Sequence, residues 1–208
     1  KSTEELEEKI TDPEGDDSKV KDAENTVSFS CPAHSVLSNL EGSELDEISG
    51  LMAHSREENL FWVHNDSGSD EEIFLISTEG KTIARYDLKG VEFNAPEDMT
   101  SFPCGDLFDQ GDHCLAIADI GDNLLRRNEK QIFIFREASK PFANSEISEI
   151  KTITLTFPFD ERDGETIFYD EESAKFIFVT KKRGGEVGKI YYADPFTKKQ
   201  EVKVISDF

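Results

Sequence analysis

From about residue 45 onward, short apolar runs are separated by polar, turn-rich breaks. The runs are rich in Phe, Ile and Val, which suit strands better than helices. Three stretches can be laid over one another. The first reads Ser49-Gly50-Leu51-Met52, then LFWVHND (60–66), EIFLIS (72–77) and KTIARYDL (81–88). The second reads Glu97-Asp98-Met99-Thr100, then CLAIADIGDN (114–123), QIFIFRE (131–137) and KTITLTFP (151–158). The third reads Glu165-Thr166-Ile167-Phe168, then KFIFVTKK (175–182), KIYYAD (189–194) and EVKVIS (201–206). Ser77-Thr78-Glu79-Gly80 and Arg183-Gly184-Gly185 supply turns between strands.

The pattern predicts an all-β protein with four short strands per unit. Units of that kind are the mark of a β-propeller, here with about three blades. Closed rings have roughly four to eight blades. The expectation is therefore part of a six-bladed ring, its missing blades coming from further chain or from an oligomer. A β-sandwich of hairpins is the alternative. The units start 48 and 68 residues apart, and the second interval is lengthened by a Cys-flanked loop and an insertion at 139–150.

Residues 1–26 break the pattern. They carry ten acids against four bases and no aromatic residue. Such a segment cannot bury enough surface to offset its ordering entropy, so it reads as a disordered acidic arm, with a short helix at 3–10. The propeller segment is then 27–208, with Val27 to Cys31 as a lone strand.

Charge narrows the partners. There are 45 Asp and Glu against 23 Lys and Arg, a net of −22. Nucleic acid and anionic membranes attract the opposite sign, so neither is expected. Cations, basic partners or simple solubility in a salty medium fit better, and the ligand itself, small molecule or protein, stays open. No run approaches the roughly 20 apolar residues of a membrane span. Cys104 and Cys114 bracket a polar loop between two apolar strands. A disulfide there predicts an extracellular or periplasmic home and leaves Cys31 over.

Overlaying the units also groups the acids. First-strand starts supply Ser49, Glu97 with Asp98, and Glu165. Second-strand ends supply His64, Asn65 and Asp66, then Asp119, Asp122 and Asn123, then Lys181 and Lys182. In a blade these ends share one face, around the channel mouth. A ring made of Asp66, Glu97, Asp98, Asp119, Asp122, Asn123 and Glu165 would repel itself unless a cation or protons intervene. Hard oxygen ligands suit Ca²⁺. Each residue also has a bland reading, because Asn-Asp-Ser-Gly and Gly-Asp-Asn are ordinary turn formers. Glu97, Asp119 and His64 are the candidates for acid–base work, and Lys181 and Arg183 for holding an anion. No EF-hand loop, G-x-S-x-G or H-E-x-x-H occurs.

These motifs together carry a resemblance. LFWVHNDSG (60–68), PEDM (96–99), ADIGDN (118–123) and GETI (164–167) resemble the blade motifs of a largely uncharacterised, mostly secreted family of six-bladed propellers. That family is similar to wider sets with phytase-like and lactonase-like members. The resemblance spans roughly 44–205. It implies a closed ring of six blades with Glu97, Asp98, Asp119, Asp122, Asn123 and Glu165 at the mouth. Pro96 stands where the family pattern has Trp, and Gly164 where it has Ala. The expected function is a secreted, Ca²⁺-binding module that recognises a ligand or protein. The alternative is a metal-dependent hydrolase of phosphoesters or lactones.

Overall fold

The computed structural model describes residues 35–68, 70–108, 113–158, 163–181 and 188–207. The acidic arm at 1–26, the strand expected at 27–31, Lys182 and Arg183 lie outside the described residues. The described residues from Val36 onward form one compact unit, and their fold is all-β with three multi-stranded sheets.

The first sheet holds β1 (Ile48–Ala53), β2 (Leu60–Asn65), β3 (Glu72–Ser77) and β4 (Thr82–Leu88). The second holds β5 (Pro96–Pro103), β6 (His113–Asp119), β7 (Lys130–Arg136) and β9 (Lys151–Thr156). The third holds β10 (Gly164–Asp170), β11 (Lys175–Thr180), β12 (Lys189–Ala193) and β14 (Lys203–Asp207). Within each set the four strands pair antiparallel in chain order. These are the three four-stranded units of the sequence overlay.

Two short strands have no counterpart in that overlay. β8 (Ser145–Ile147) runs parallel to β4, adding a fifth strand to the first sheet. β13 (Lys199–Glu201) runs parallel to β9 and does the same for the second. Each comes from the connection between the third and fourth strands of the following unit. A three-residue edge strand buries too little to leave a hydrophobic period, so sequence alone passes it over.

Strand alternation builds the layers between sheets. Leu115 and Ile117 of β6 join Trp62, Leu75, Ala84 and Tyr86 of the first sheet. Cys114, Ala116 and Ala118, the alternate residues of β6, face the third sheet instead. Those three are small, and the third sheet answers with Phe176, Phe178 and Tyr191. Large against small lets the two faces interdigitate at crystal-like density. The rings meet edge-on: Phe102 and Phe176 at 5.0 Å, Phe157 and Tyr191 at 5.5 Å. Trp62 is fully buried, and its indole N–H donates to Glu137 Oε1 at 2.8 Å.

The first strands lie side by side, β5 between β1 and β10. Side chains tie them. Ser49 Oγ donates to the Glu97 carbonyl at 2.7 Å. Asp98 Oδ2 accepts from the Ile167 amide at 3.0 Å, and Thr100 Oγ1 from the Tyr169 amide at 3.2 Å. Cys104 and Cys114 are both buried and joined by a disulfide that closes the β5–β6 loop.

Candidate functional site

One irregularity recurs in all three sheets. The pairing of the first and second strands slips between Ile48 and Gly50, between Pro96 and Asp98, and between Gly164 and Thr166. The residue absorbed by the slip is Ser49, Glu97 and Glu165 in turn. A β-bulge unpairs one residue and re-aims its side chain, and bulges concentrate beside functional sites. The three bulged positions stand at the same end of neighbouring strands, so the fold repeats one device at one place.

Glu97 sits at the centre of this end. Burial, and then the carboxylates of Glu165 and Asp66, push its carboxyl up to about 7, against the pull of Lys181. Gly121 makes room for it, since a Cβ there would collide with Glu97 Oε1 and Ala95 Cβ. Glu165 is held by Lys181, whose Nζ lies 2.6 Å from Oε1 and 3.8 Å from Asp163 Oδ2. The Glu165 carboxylate in turn raises the Lys181 ammonium above its ordinary value. Asp66 is half-buried at the end of β2, with Oδ1 accepting from the Ser67 amide at 2.6 Å.

The other acids of the expected ring are engaged in structural bonds. Asp98 accepts from the amides of Met99 and Ile167, and burial still pushes its carboxyl up. Asp119 is fully buried and takes Arg127 bidentately, at 2.9 and 2.7 Å, with the Ala95 amide at 2.7 Å. Asp122 pairs with Lys130 at 2.8 Å and caps the amides of Arg126 and Arg127. Burial would raise Asp122, but Lys130 and the two amides outweigh it and hold the carboxyl low. Burial drives Lys130, which is wholly enclosed, down to about 8 despite this partner. Asn123 lies exposed on the same loop.

His64 is fully buried beneath Gly50, where a Cβ would collide with its Nε2. Its Nδ1 lies 2.8 Å from the Asn65 carbonyl. Burial pushes the imidazole below its ordinary value. A neutral ring wedged under a strand suits packing better than proton exchange with a ligand. Asn65 Nδ2 donates to the Glu44 carbonyl at 2.6 Å, pinning the chain that enters the first sheet.

Three side chains of this end were not singled out in the sequence. Asp163 is buried and accepts from the Asp122 amide at 2.7 Å, joining the loops before β7 and β10. Its signal was its place, two residues before the bulged Glu165. Arg127 neutralises Asp119 from a loop whose course no periodicity marks, and Lys130 neutralises Asp122 from the first position of β7.

Chemically, among the described residues this leaves Glu97, Glu165 and Asp66 as carboxylates whose charge is not fully matched, with Lys181 as the cation beside them. Among the described residues no group of three or more His, Cys, Asp or Glu is already arranged to hold a metal ion. An incoming cation would need the Lys181–Glu165 pair to open, and that pair is solvent-reachable. No helix among the described residues is long and apolar enough to cross a membrane. No family model matches the sequence, and no curated protein matches it.

Proposed function

We propose that the three sheets are blades of a propeller, part of a six-bladed ring completed by further chain or by partner copies. In this reading the protein is an extracellular or periplasmic binding module. Its mouth takes up a cation, Ca²⁺ first, on Glu97, Glu165 and Asp66, and presents it to a small-molecule or protein ligand. The recurring bulge at Ser49, Glu97 and Glu165 carries the reading, because it unpairs equivalent residues at the same end of neighbouring strands. Oxygen-only donors favour Ca²⁺ over softer metals.

Calorimetric titration with CaCl₂ at pH 8 tests it. Wild-type protein should release heat with a saturable isotherm that Glu97→Gln removes. No saturable heat, or an isotherm indifferent to that substitution, rejects the cation site. A hydrolase reading draws on a separate observation: a carboxyl titrating near 7 can move protons at neutral pH. Glu97 would then be the base and Lys181 the anion holder for a phosphoester or lactone. A substrate screen in which Glu97→Gln leaves turnover intact removes that mechanism.

A further inference from the structure

A second concave site lies at the opposite edge of the second sheet, on its outer strands. A groove of about 370 Å³ is lined by Leu107, Ile134, Ile153 and Phe196, with Lys151 and Lys198 among its walls. Ile134 and Ile153 supply its floor from β7 and β9. Leu107 comes from the 3-10 turn inside the disulfide loop. Phe196 comes from the turn before β13 and lies against Gly105.

The walls are pinned. The Cys104–Cys114 disulfide fixes the loop that carries Leu107. The Lys198 carbonyl accepts from the Thr154 amide at 2.8 Å, and the Phe196 amide donates to Asp194 Oδ1 at 2.8 Å. A preformed pocket avoids the ordering cost of binding. Its volume and mostly apolar lining with few polar groups match small-ligand sites.

Charge selects the ligand. The protein as a whole carries −22 and repels anions. Around this groove the neighbouring cations are used up: Lys199 pairs with Glu129, and Arg136 with Glu149. Lys151 and Lys198 differ, since neither has a carboxylate partner among the described residues. Lys151 rests instead over the Phe108 ring at 5.3 Å. Among the described residues, then, these two exposed lysines beside the groove have no complementary charge.

We propose that this groove binds a small amphiphilic carboxylate. The apolar body would sit on Ile134, Ile153, Leu107 and Phe196, and the carboxylate between Lys151 and Lys198. This site shares no residue with the bulged mouth and stands or falls independently of it.

Decanoate is the probe, followed through backbone amide shifts of the ¹⁵N-labelled protein. Saturable shifts at Leu107, Ile153, Phe196 and Lys198 are expected. The exposed pair Lys151→Glu with Lys198→Glu should weaken binding roughly ten-fold or more. Phe196→Ala, which removes one apolar wall, should also weaken it. Decanol, lacking the charge, should bind more weakly to wild type and equally to both proteins. No saturable shift below about 10 mM decanoate overturns the proposal. So does equal affinity in the charge-reversed protein, or binding of an acidic apolar peptide where decanoate fails.

Discussion

Replacing Glu97 by Gln keeps the side chain's shape and removes its charge, so it isolates the electrostatic strain at the bulged end of the sheets. The folded carboxyl titrates near 7, against an ordinary value of 4.5. Below about pH 4.5 the group is protonated in both folded and unfolded chains and contributes nothing. Between 4.5 and 7 the folded protein binds more protons, so stability falls as pH rises. Above 7 the cost is complete. At full weight it is roughly 3 kcal/mol, and partial exposure screens it to about 1–2 kcal/mol. Glu97→Gln should therefore stabilise the protein at pH 8 and leave it unchanged at pH 4.5. Thermal melting of both proteins across this range, read by the fluorescence of Trp62, gives the difference directly. A gain of roughly 2–8 °C at pH 8 is expected, vanishing towards pH 4.5. Because only the difference is compared, titrating groups remote from Glu97 cancel. A difference independent of pH, or a loss of stability at pH 8, would refute the assigned charge environment.

Other outcomes follow from the same geometry. Lys130→Met strands the Asp122 carboxylate and should cost about 3–5 kcal/mol in urea denaturation, largely recovered by adding Asp122→Asn. Cys104→Ser with Cys114→Ser opens the β5–β6 loop and should cost about 2–3 kcal/mol, with wild type showing the same loss in reductant. Gly121→Ala should displace the Glu97 carboxylate, costing about 1–3 kcal/mol and abolishing any Ca²⁺-dependent rise in melting temperature.

The three four-stranded units were legible because each strand leaves a strong apolar signal, bounded by turns, and the signal repeats. Tertiary pairing then followed the chain order. The grouping of acids was legible at the level of an end of the sheets, since equivalent strand ends must lie near each other. Their individual states were not. Asp119 and Asp122 look like Glu97 in sequence, yet Arg127 and Lys130 neutralise them. That depends on how residues 120–129 turn back, with Leu125 in the left-handed region at φ 52°. A non-glycine residue there is a product of the loop's bonds and leaves no periodic trace. The bulges share this character. A one-residue slip is invisible to alternation until the partner strand is known. Arg183 and the acidic arm lie outside the described residues.

The parallel strands β8 and β13 bear on how the chain acquires its structure as it is made. The outer edges of the first two sheets are finished by residues that belong to the next unit, 57 positions beyond the end of β4 for the first (88 to 145) and 43 beyond the end of β9 for the second (156 to 199). An emerging unit therefore leaves the ribosome with an unsatisfied rim and stays in that state until its successor is synthesised. Such overlap makes neighbouring units melt together, because loss of one unit uncaps the one before it. A truncation placed cleanly between units would still leave a ragged, adhesive edge. Cuts that preserve β8 or β13 as an appended tail are the ones expected to yield well-behaved fragments.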